Sequence, residues 1–282
     1  MVSIGDKRSS VLITGYSPSG IGKALAQEFH QRGLRMFATA RDTGALQSLV
    51  ALGIETLSLV VDDERSVQSC YAEVRERLGE KGLDYLVSNT NGSYIIDYTV
   101  PAMEVDLAEA RATFETNLFA VINMCQTFLP LLKKAQGTII QIGSVAGVIP
   151  YVFGSVYNAS KVALHSFSDT LRVELVPSGS VNVTTIVTGG VQSRIAHVKR
   201  TLAPNSLYAP IEDESVVTQI LYGTTSWRWL WPWAKGRKSW ISEGNKSWLT
   251  WFLSRGWAWT GIFHHAMTRM FKLYKLKKMG GK

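Results

Sequence analysis

The sequence predicts an α/β fold, a doubly wound parallel sheet covered by helices on both faces, followed by an aromatic, basic tail. Three observations predict it. Roughly the first two hundred residues alternate short β-branched runs with longer amphipathic segments, the pattern of repeated strand–helix–strand units. The strand-like runs are apolar throughout and do not alternate, as expected where both faces of a sheet are covered. Finally, all nine tryptophans stand at or after Trp227. Charge divides in the same way. Residues 225–282 hold 12 Lys/Arg against the single acid Glu243, a net +11, whereas residues 1–224 hold 18 against 21, a net −3. This asymmetry points the tail toward an anionic surface.

Each element follows from its local pattern. "SVLIT", ending at Thr14, reads as the first strand, and apolar spacing predicts a helix from Ile21 to Arg32. "LRMFATA" is the second strand, Thr43–Leu52 a helix, and "ETLSLVV" the third strand. A helix near Glu64–Leu78 leads to the strand "LDYLVS". A long helix is expected around Leu118–Lys133, then the strand "GTIIQIGS", a helix from Ser155 to Leu175 and the strand "VNVTTIV". After Gly190 the regularity weakens, with a helix expected near Ser215–Tyr222 and a last strand at "KSWIS". The expected organisation is one domain over residues 1–244 and an appendage over 245–282. The 46% apolar content is ample for one core. Two cysteines, Cys70 and Cys125, are too few for a disulfide scaffold and suggest a reducing compartment. No signal peptide is read at the start of the chain.

The first strand runs into "TGYSPSGIGKALA". Gly15, Gly20 and Gly22 stand at a strand-to-helix turn, where the backbone can approach a phosphate and helix amides face the anion. The context of a strand before and a helix after is what such a motif requires. At the end of the second strand an acid would bind the ribose hydroxyls of NAD. Here the chain reads "ATARD", and the Arg41 guanidinium suits a 2′-phosphate. Ser17 adds a donor, so NADP(H) is the expected cofactor. Asp42 stands ready to neutralise Arg41.

"SVYNASKVAL" places Tyr157 and Lys161 four apart on one helical face. An ammonium beside a phenol favours the phenolate and lowers its pKa from about 10. Such a phenol exchanges a proton with a carbinol oxygen. Ser144 ends the strand "GTIIQIGS", where its hydroxyl can donate to a carbonyl oxygen. Asn117, in "ETNLFAV", is expected to open the preceding helix. His30, His165 and His197 show no metal-ligand spacing and read as structural, and no metal site is expected.

Over residues 9–195 the chain resembles the short-chain dehydrogenases/reductases. "TGYSPSGIG" is similar to their cofactor turn with one extra residue, and "LVSNTNG" occupies the place of an Asn-Asn-Ala-Gly segment. Asn117, Ser144, Tyr157 and Lys161 fall on the family's catalytic tetrad, and "VTGGVQS" on the stretch that folds over the nicotinamide. The resemblance implies a Rossmann-like fold, with Tyr157 as acid/base and Lys161 holding the nicotinamide ribose and tuning Tyr157. It implies Ser144 orienting the substrate oxygen and Asn117 anchoring a proton-relay water. It also places Asp62 at adenine, Asn89 at the adjoining ribose, and Ile21, Val191 and Ser193 along the cofactor. Ser88, Thr90, Asn91 and Thr188 depart from the family pattern. The longer glycine turn, "TGGV" and the tail look like the fungal and yeast branch of acyl-dihydroxyacetone-phosphate reductases. That branch uses NADPH and sits on lipid droplets and endoplasmic reticulum. Fungal secondary-metabolite reductases share these features.

The tail completes the expectations. Its 16-residue apolar run Trp248–Phe263 contains Arg255 and falls short of the about 20 residues that span a bilayer. Phe263, Met267, Met270, Phe271 and Tyr274 share one helical face, with His265, Arg269, Lys272 and Lys275 on another. This is the pattern of an interfacial helix, and tryptophan favours the headgroup level. An aromatic lid over the substrate pocket or a contact between copies is the alternative, and nucleic acid is not an expected partner. The expected activity is NADPH-dependent reduction of an apolar ketone, at the cytosolic face of the endoplasmic reticulum or a lipid droplet, with a cytoplasmic location as the alternative. The alternatives are oxidation of a sterol-like or terpenoid alcohol, and a catalytically silent membrane-binding protein.

Overall fold

A computed structural model describes residues 6–18, 20–89, 100–149, 152–175, 181–189, 202 and 205–209, together with the backbone of 240–243. The elements alternate along the chain. They are β1 (Ser10–Ile13), α1 (Ile21–Gln31), β2 (Arg35–Ala40), α2 (Gln47–Val50), β3 (Glu55–Ser58), α3 (Glu64–Leu78) and β4 (Tyr85–Ser88). Then follow α4 (Leu107–Phe114), α5 (Ala120–Ala135), β5 (Thr138–Ser144), α6 (Ser155–Leu175), β6 (Asn182–Thr188) and β7 (Trp240–Glu243). The strands form one seven-stranded sheet in the order β3-β2-β1-β4-β5-β6-β7. All its pairings are parallel. The chain thus winds outward from β1 in one direction and from β4 in the other. The crevice between their C-terminal ends is where open α/β sheets bind ligands.

Alternate residues of each strand serve opposite faces, as the pleat requires. On one face Leu12, Phe37, Leu86 and Ile139 pack with Val67 and Val74 of α3 and Met124 and Phe128 of α5. On the other Val11, Ile13, Met36, Ala38 and Ile140 pack with Leu25 and Phe29 of α1 and Leu49 of α2. Both faces are therefore buried, which is why the strands read as continuous apolar runs. Cys70 and Cys125 are buried free cysteines, and burial pushes both thiols up to about 12. Among the described residues no helix is long and apolar enough to cross a membrane.

Helix ends follow capping chemistry. Asp63 caps α3, its carboxylate accepting from Arg65 N at 2.9 Å, and Asp106 caps α4 through Ala108 N at 2.7 Å. Two expectations need correction. The helix expected at Thr43–Leu52 is a 3₁₀ turn, Thr43–Leu46, running into the short α2. The helix expected around Leu118–Lys133 is present as α5, and a separate helix, α4, capped by Asp106, precedes it. Glu115–Phe119 form a π-helical turn between α4 and α5. Asn117 therefore lies inside a helical run and does not open one. The helices expected at 21–32, 64–78 and 155–175 are present, as is the last strand. Ser215–Tyr222 and the tail 245–282 lie outside the described residues.

Candidate active site

The glycine turn is built by close backbone approach. Gly15 adopts φ 72°, the left-handed region that suits glycine. A Cβ on Gly22 would lie 2.8 Å from Gly15 O and 2.9 Å from Asn89 Nδ2, so any side chain there would push α1 off the turn. Tyr16 N donates to Thr39 O at 2.9 Å, seating the turn beside the end of β2. Ser17 is exposed, and its hydroxyl lies over Gly20. Gly20 caps α1 without a side-chain hydrogen bond, and no acid stands in the first turn. Ile21, half-buried, packs on the core beneath. Among the described residues, the start of α1 thus has the form that glycine turns offer to an anion.

Asn89 joins the two halves of the sheet. Its Nδ2 donates to Thr14 O at 3.2 Å and Gly15 O at 3.1 Å. Its Oδ1 is buried and has no partner among the described residues, and such an atom needs a donor, of the kind a ribose hydroxyl carries. Arg41 is exposed directly after β2. Asp42 is engaged locally, accepting from Gly44 N at 2.8 Å as the cap of the following turn. Asp62 is exposed, in the turn that precedes α3. Val191 and Ser193 lie outside the described residues. The donor set around this edge fits a dinucleotide that carries a 2′-phosphate: helix amides for the pyrophosphate, an orphan acceptor for ribose and a guanidinium for the added phosphate.

The other half of the crevice is built by β5, the π turn and α6. Ser144 ends β5, and its hydroxyl accepts from Ala146 N at 3.1 Å, which leaves the hydroxyl proton to donate elsewhere. Tyr157 is half-buried one helical turn before Lys161 on α6. The Lys161 Nζ lies 5.8 Å from the Tyr157 ring centroid and donates to Ile142 O at 3.1 Å. Burial pushes the Lys161 ammonium down to about 8. Asn117 Nδ2 donates to Ser160 Oγ at 3.0 Å, and Ser160 Oγ donates to Tyr157 O at 2.8 Å. The π turn sets this contact, since the extra residue rotates Asn117 toward α6; such turns recur at functional sites.

The structure therefore brings Asn117, Ser144, Tyr157 and Lys161 together through α6. It also brings in two residues that carried no functional signal in the sequence, Ser160 and His165. Ser160 sits between Asn117 and the Tyr157 carbonyl. His165 accepts from Ser144 N at 3.3 Å. A histidine two helical turns from Tyr157 was the one available cue to the second.

A doubly wound sheet whose switch point meets a lysine-supported tyrosine belongs to a dinucleotide-dependent oxidoreductase. The short chain dehydrogenase model matches residues 9–202, and the chain belongs to that family. Similarity extends to named relatives. The NADPH-dependent 1-acyldihydroxyacetone phosphate reductase of Schizosaccharomyces pombe is 40% identical over 206 residues, 71% of this chain and 68% of that protein. The short-chain dehydrogenase fogD of Aspergillus ruber is 35% identical over 291 residues, 95% of this chain and 94% of that one. The crystal structure of a short-chain dehydrogenase from Streptomyces avermitilis shares the fold with a TM-score of 0.71 at 21% identity, covering 98% of this chain and 100% of that one.

Proposed function

We propose that the protein reduces a ketone on an apolar substrate to a secondary alcohol with NADPH. The observation that carries the reading is the Lys161 ammonium buried 5.8 Å from the Tyr157 ring, on a helix whose His165 meets Ser144 at the end of β5. NADPH is the cofactor supported by the Arg41 guanidinium after β2 and by the NADPH dependence of the fission-yeast relative. Gly15, Gly20, Ile21 and Gly22 would hold its pyrophosphate, Arg41 and Ser17 its 2′-phosphate, and Asp62 and Asn89 its adenosine. Tyr157 and Lys161 would hold the nicotinamide ribose, with Val191 and Ser193 along the same side.

When bound, NADPH supplies a hydride for the carbonyl carbon. The protein's own residues manage the oxygen. The Tyr157 hydroxyl gives its proton to the carbonyl oxygen as negative charge gathers there. The Lys161 ammonium stabilises the phenolate that remains. Ser144, its lone pair occupied by Ala146 N, donates its own proton to the same oxygen and orients it. Asn117 holds α6 through Ser160 and anchors the water from which Tyr157 regains its proton. The reverse relay oxidises an alcohol by the same atoms.

The substrate class follows from the relatives and the tail together: a lipid ketone such as an acyl-dihydroxyacetone phosphate, or a fungal secondary-metabolite ketone. The tail 245–282 would rest on an anionic bilayer, at the cytosolic face of the endoplasmic reticulum or a lipid droplet. Each lysine near such a surface contributes about 1 kcal/mol. Turnover of NADPH against acyl-dihydroxyacetone phosphate and polyketide ketones, read as loss of reduced-nicotinamide absorbance, tests the activity. Tyr157→Phe should cost at least about a hundredfold in kcat, and retained activity would overturn the role assigned to it. Flotation with phosphatidylserine vesicles tests the tail: charge reversal at Lys272, Lys275, Lys277 and Lys278 should abolish binding.

A further inference from the structure

We infer that His165 is a positioning residue for this reaction, its imidazole pinning the strand end that carries Ser144 to the helix that carries Tyr157 and Lys161. The inference rests on Ser144 and Tyr157 doing the chemistry proposed above, and it assigns a role to a residue outside that set.

His165 follows Lys161 by one helical turn and Tyr157 by two, so the three project from one face of α6. Its side chain is buried, at 4% exposure. The Nε2 accepts from the backbone N–H of Ser144 at 3.3 Å. The ring fits because two flanking residues lack side chains. A Cβ on Gly143 would lie 2.4 Å from His165 Nε2, and one on Gly147 would lie 2.6 Å from Cε1. "GSVAG" thus wraps the imidazole, with Ser144 at the point of contact.

The contact fixes more than position. Because the Ser144 N–H donates to Nε2, that nitrogen is unprotonated, and the neutral ring carries its proton on Nδ1, on the side of Gly147. The Ser144 hydroxyl is held in turn by Ala146 N. The N–H and the hydroxyl of Ser144 therefore both have partners before any substrate arrives, and one of those partners belongs to the catalytic helix. Removing the imidazole's acceptor leaves a buried N–H unpaired, a cost the strand end relieves by shifting. A shift of that kind at a reacting centre lowers rate even where binding survives.

The test compares three substitutions in the full chain, each normalised to the concentration of NADPH-binding sites measured by nicotinamide fluorescence titration. His165→Leu keeps the bulk and removes the acceptor; its kcat on the ketone should fall about tenfold, with NADPH affinity unchanged. His165→Gln carries an amide oxygen at comparable reach and should recover kcat to within about threefold of wild type. A His165→Leu protein turning over at the wild-type rate per site, or a His165→Gln protein as slow as His165→Leu, would overturn the inference. Should His165→Leu not fold, His165→Asn, whose amide falls one methylene short, replaces it. Asn equal to Gln then sinks the proposal, and Asn slower than Gln supports it. Wild type and Tyr157→Phe measured alongside show whether the underlying reading holds, so that its failure is not mistaken for a failure of His165.

Discussion

The side-chain amide of Asn117 donates to Ser160 Oγ across 3.0 Å, joining a π-helical turn to a helix 43 positions further along the chain. Ser160 passes the constraint on, donating to the carbonyl of Tyr157 at 2.8 Å. Both Asn117 and Ser160 are buried, so the Asn117 amide N–H relies on the Ser160 hydroxyl as its acceptor. Ser160→Ala should leave the Asn117 amide without its partner and destabilise the fold by about 1–2 kcal/mol, read as a lowered denaturation midpoint. If the pair also seats α6 for catalysis, kcat should fall several-fold with little change in KM. A Ser160→Ala protein with unchanged midpoint and rate would show that the contact does neither.

Lys161 should trade stability for activity. Its ammonium is buried and held near about 8 by desolvation, with Ile142 O as its hydrogen-bond acceptor. In the unfolded chain the same group keeps its proton up to the ordinary lysine range. The buried charge therefore weighs against folding below pH about 8, and the penalty lifts as pH rises from there toward the unfolded value. Lys161→Met removes the charge and fills the site, and should raise stability at pH 7 by about 1–3 kcal/mol while abolishing turnover. For the wild-type enzyme, ketone reduction should weaken as pH rises through about 8, where the ammonium loses its proton. A pH–rate profile that stays flat across that interval would refute the electrostatic role.

Much of this was legible in the sequence because it is local. The helices Ile21–Gln31, Glu64–Leu78 and Ser155–Leu175 carry uninterrupted 3.6-residue patterns, and Asp63 marks the start of the second. The strands were readable because burial on both faces leaves no alternation to misread. Tyr157 and Lys161 share a helical face by spacing, and their order along the chain with the glycine turn, Asn117 and Ser144 marks them as a site. What escaped is what depends on tertiary contact. The π turn at Glu115–Phe119 shifts the apolar register between α4 and α5, so the pattern marks α5 and hides the shorter α4 before it. Ser160 and His165 hold partners 43 and 21 positions away. No period in the sequence encodes such pairs, and a histidine without metal-ligand spacing reads as core.

Acid should weaken the fold through His165. Desolvation, with the Lys161 charge adding to it, holds the ring down to about 4, while Asp169 and a backbone hydrogen bond with Gly147 pull the other way. In the unfolded chain the ring takes up its proton near 6.5. Between these values the unfolded state binds the extra proton, so stability is complete above about 6.5 and declines as pH falls toward about 4. The full effect approaches about 3 kcal/mol. The structural reason is plain: a protonated Nε2 would confront the Ser144 N–H donor to donor. Wild type should lose thermal stability relative to His165→Gln as pH falls from about 6.5 toward about 4, because the substitution removes the proton-linked slope. Parallel curves from pH 7 to pH 4.5 would mean that the ring is not held neutral.

Cofactor choice should rest on one guanidinium. Arg41 is exposed immediately beyond β2, while the adjacent Asp42 spends its carboxylate on Gly44 N at 2.8 Å. Tyr16 N, donating to Thr39 O at 2.9 Å, keeps that strand end against the glycine turn. The geometry places a permanent positive charge beside the turn that would receive the adenosine half of the cofactor. A charge-assisted hydrogen bond to a phosphate is worth about 1.5–3 kcal/mol. Arg41→Ala should therefore raise KM for NADPH by about ten- to a hundredfold. The KM for NADH, which lacks the 2′-phosphate, should stay within about twofold. Arg41→Asp adds an acid where NAD-binding turns use one and should invert the preference. If NADPH and NADH lose affinity equally in Arg41→Ala, the 2′-phosphate is read elsewhere in the crevice, and Ser17, exposed in the same turn, becomes the next residue to change.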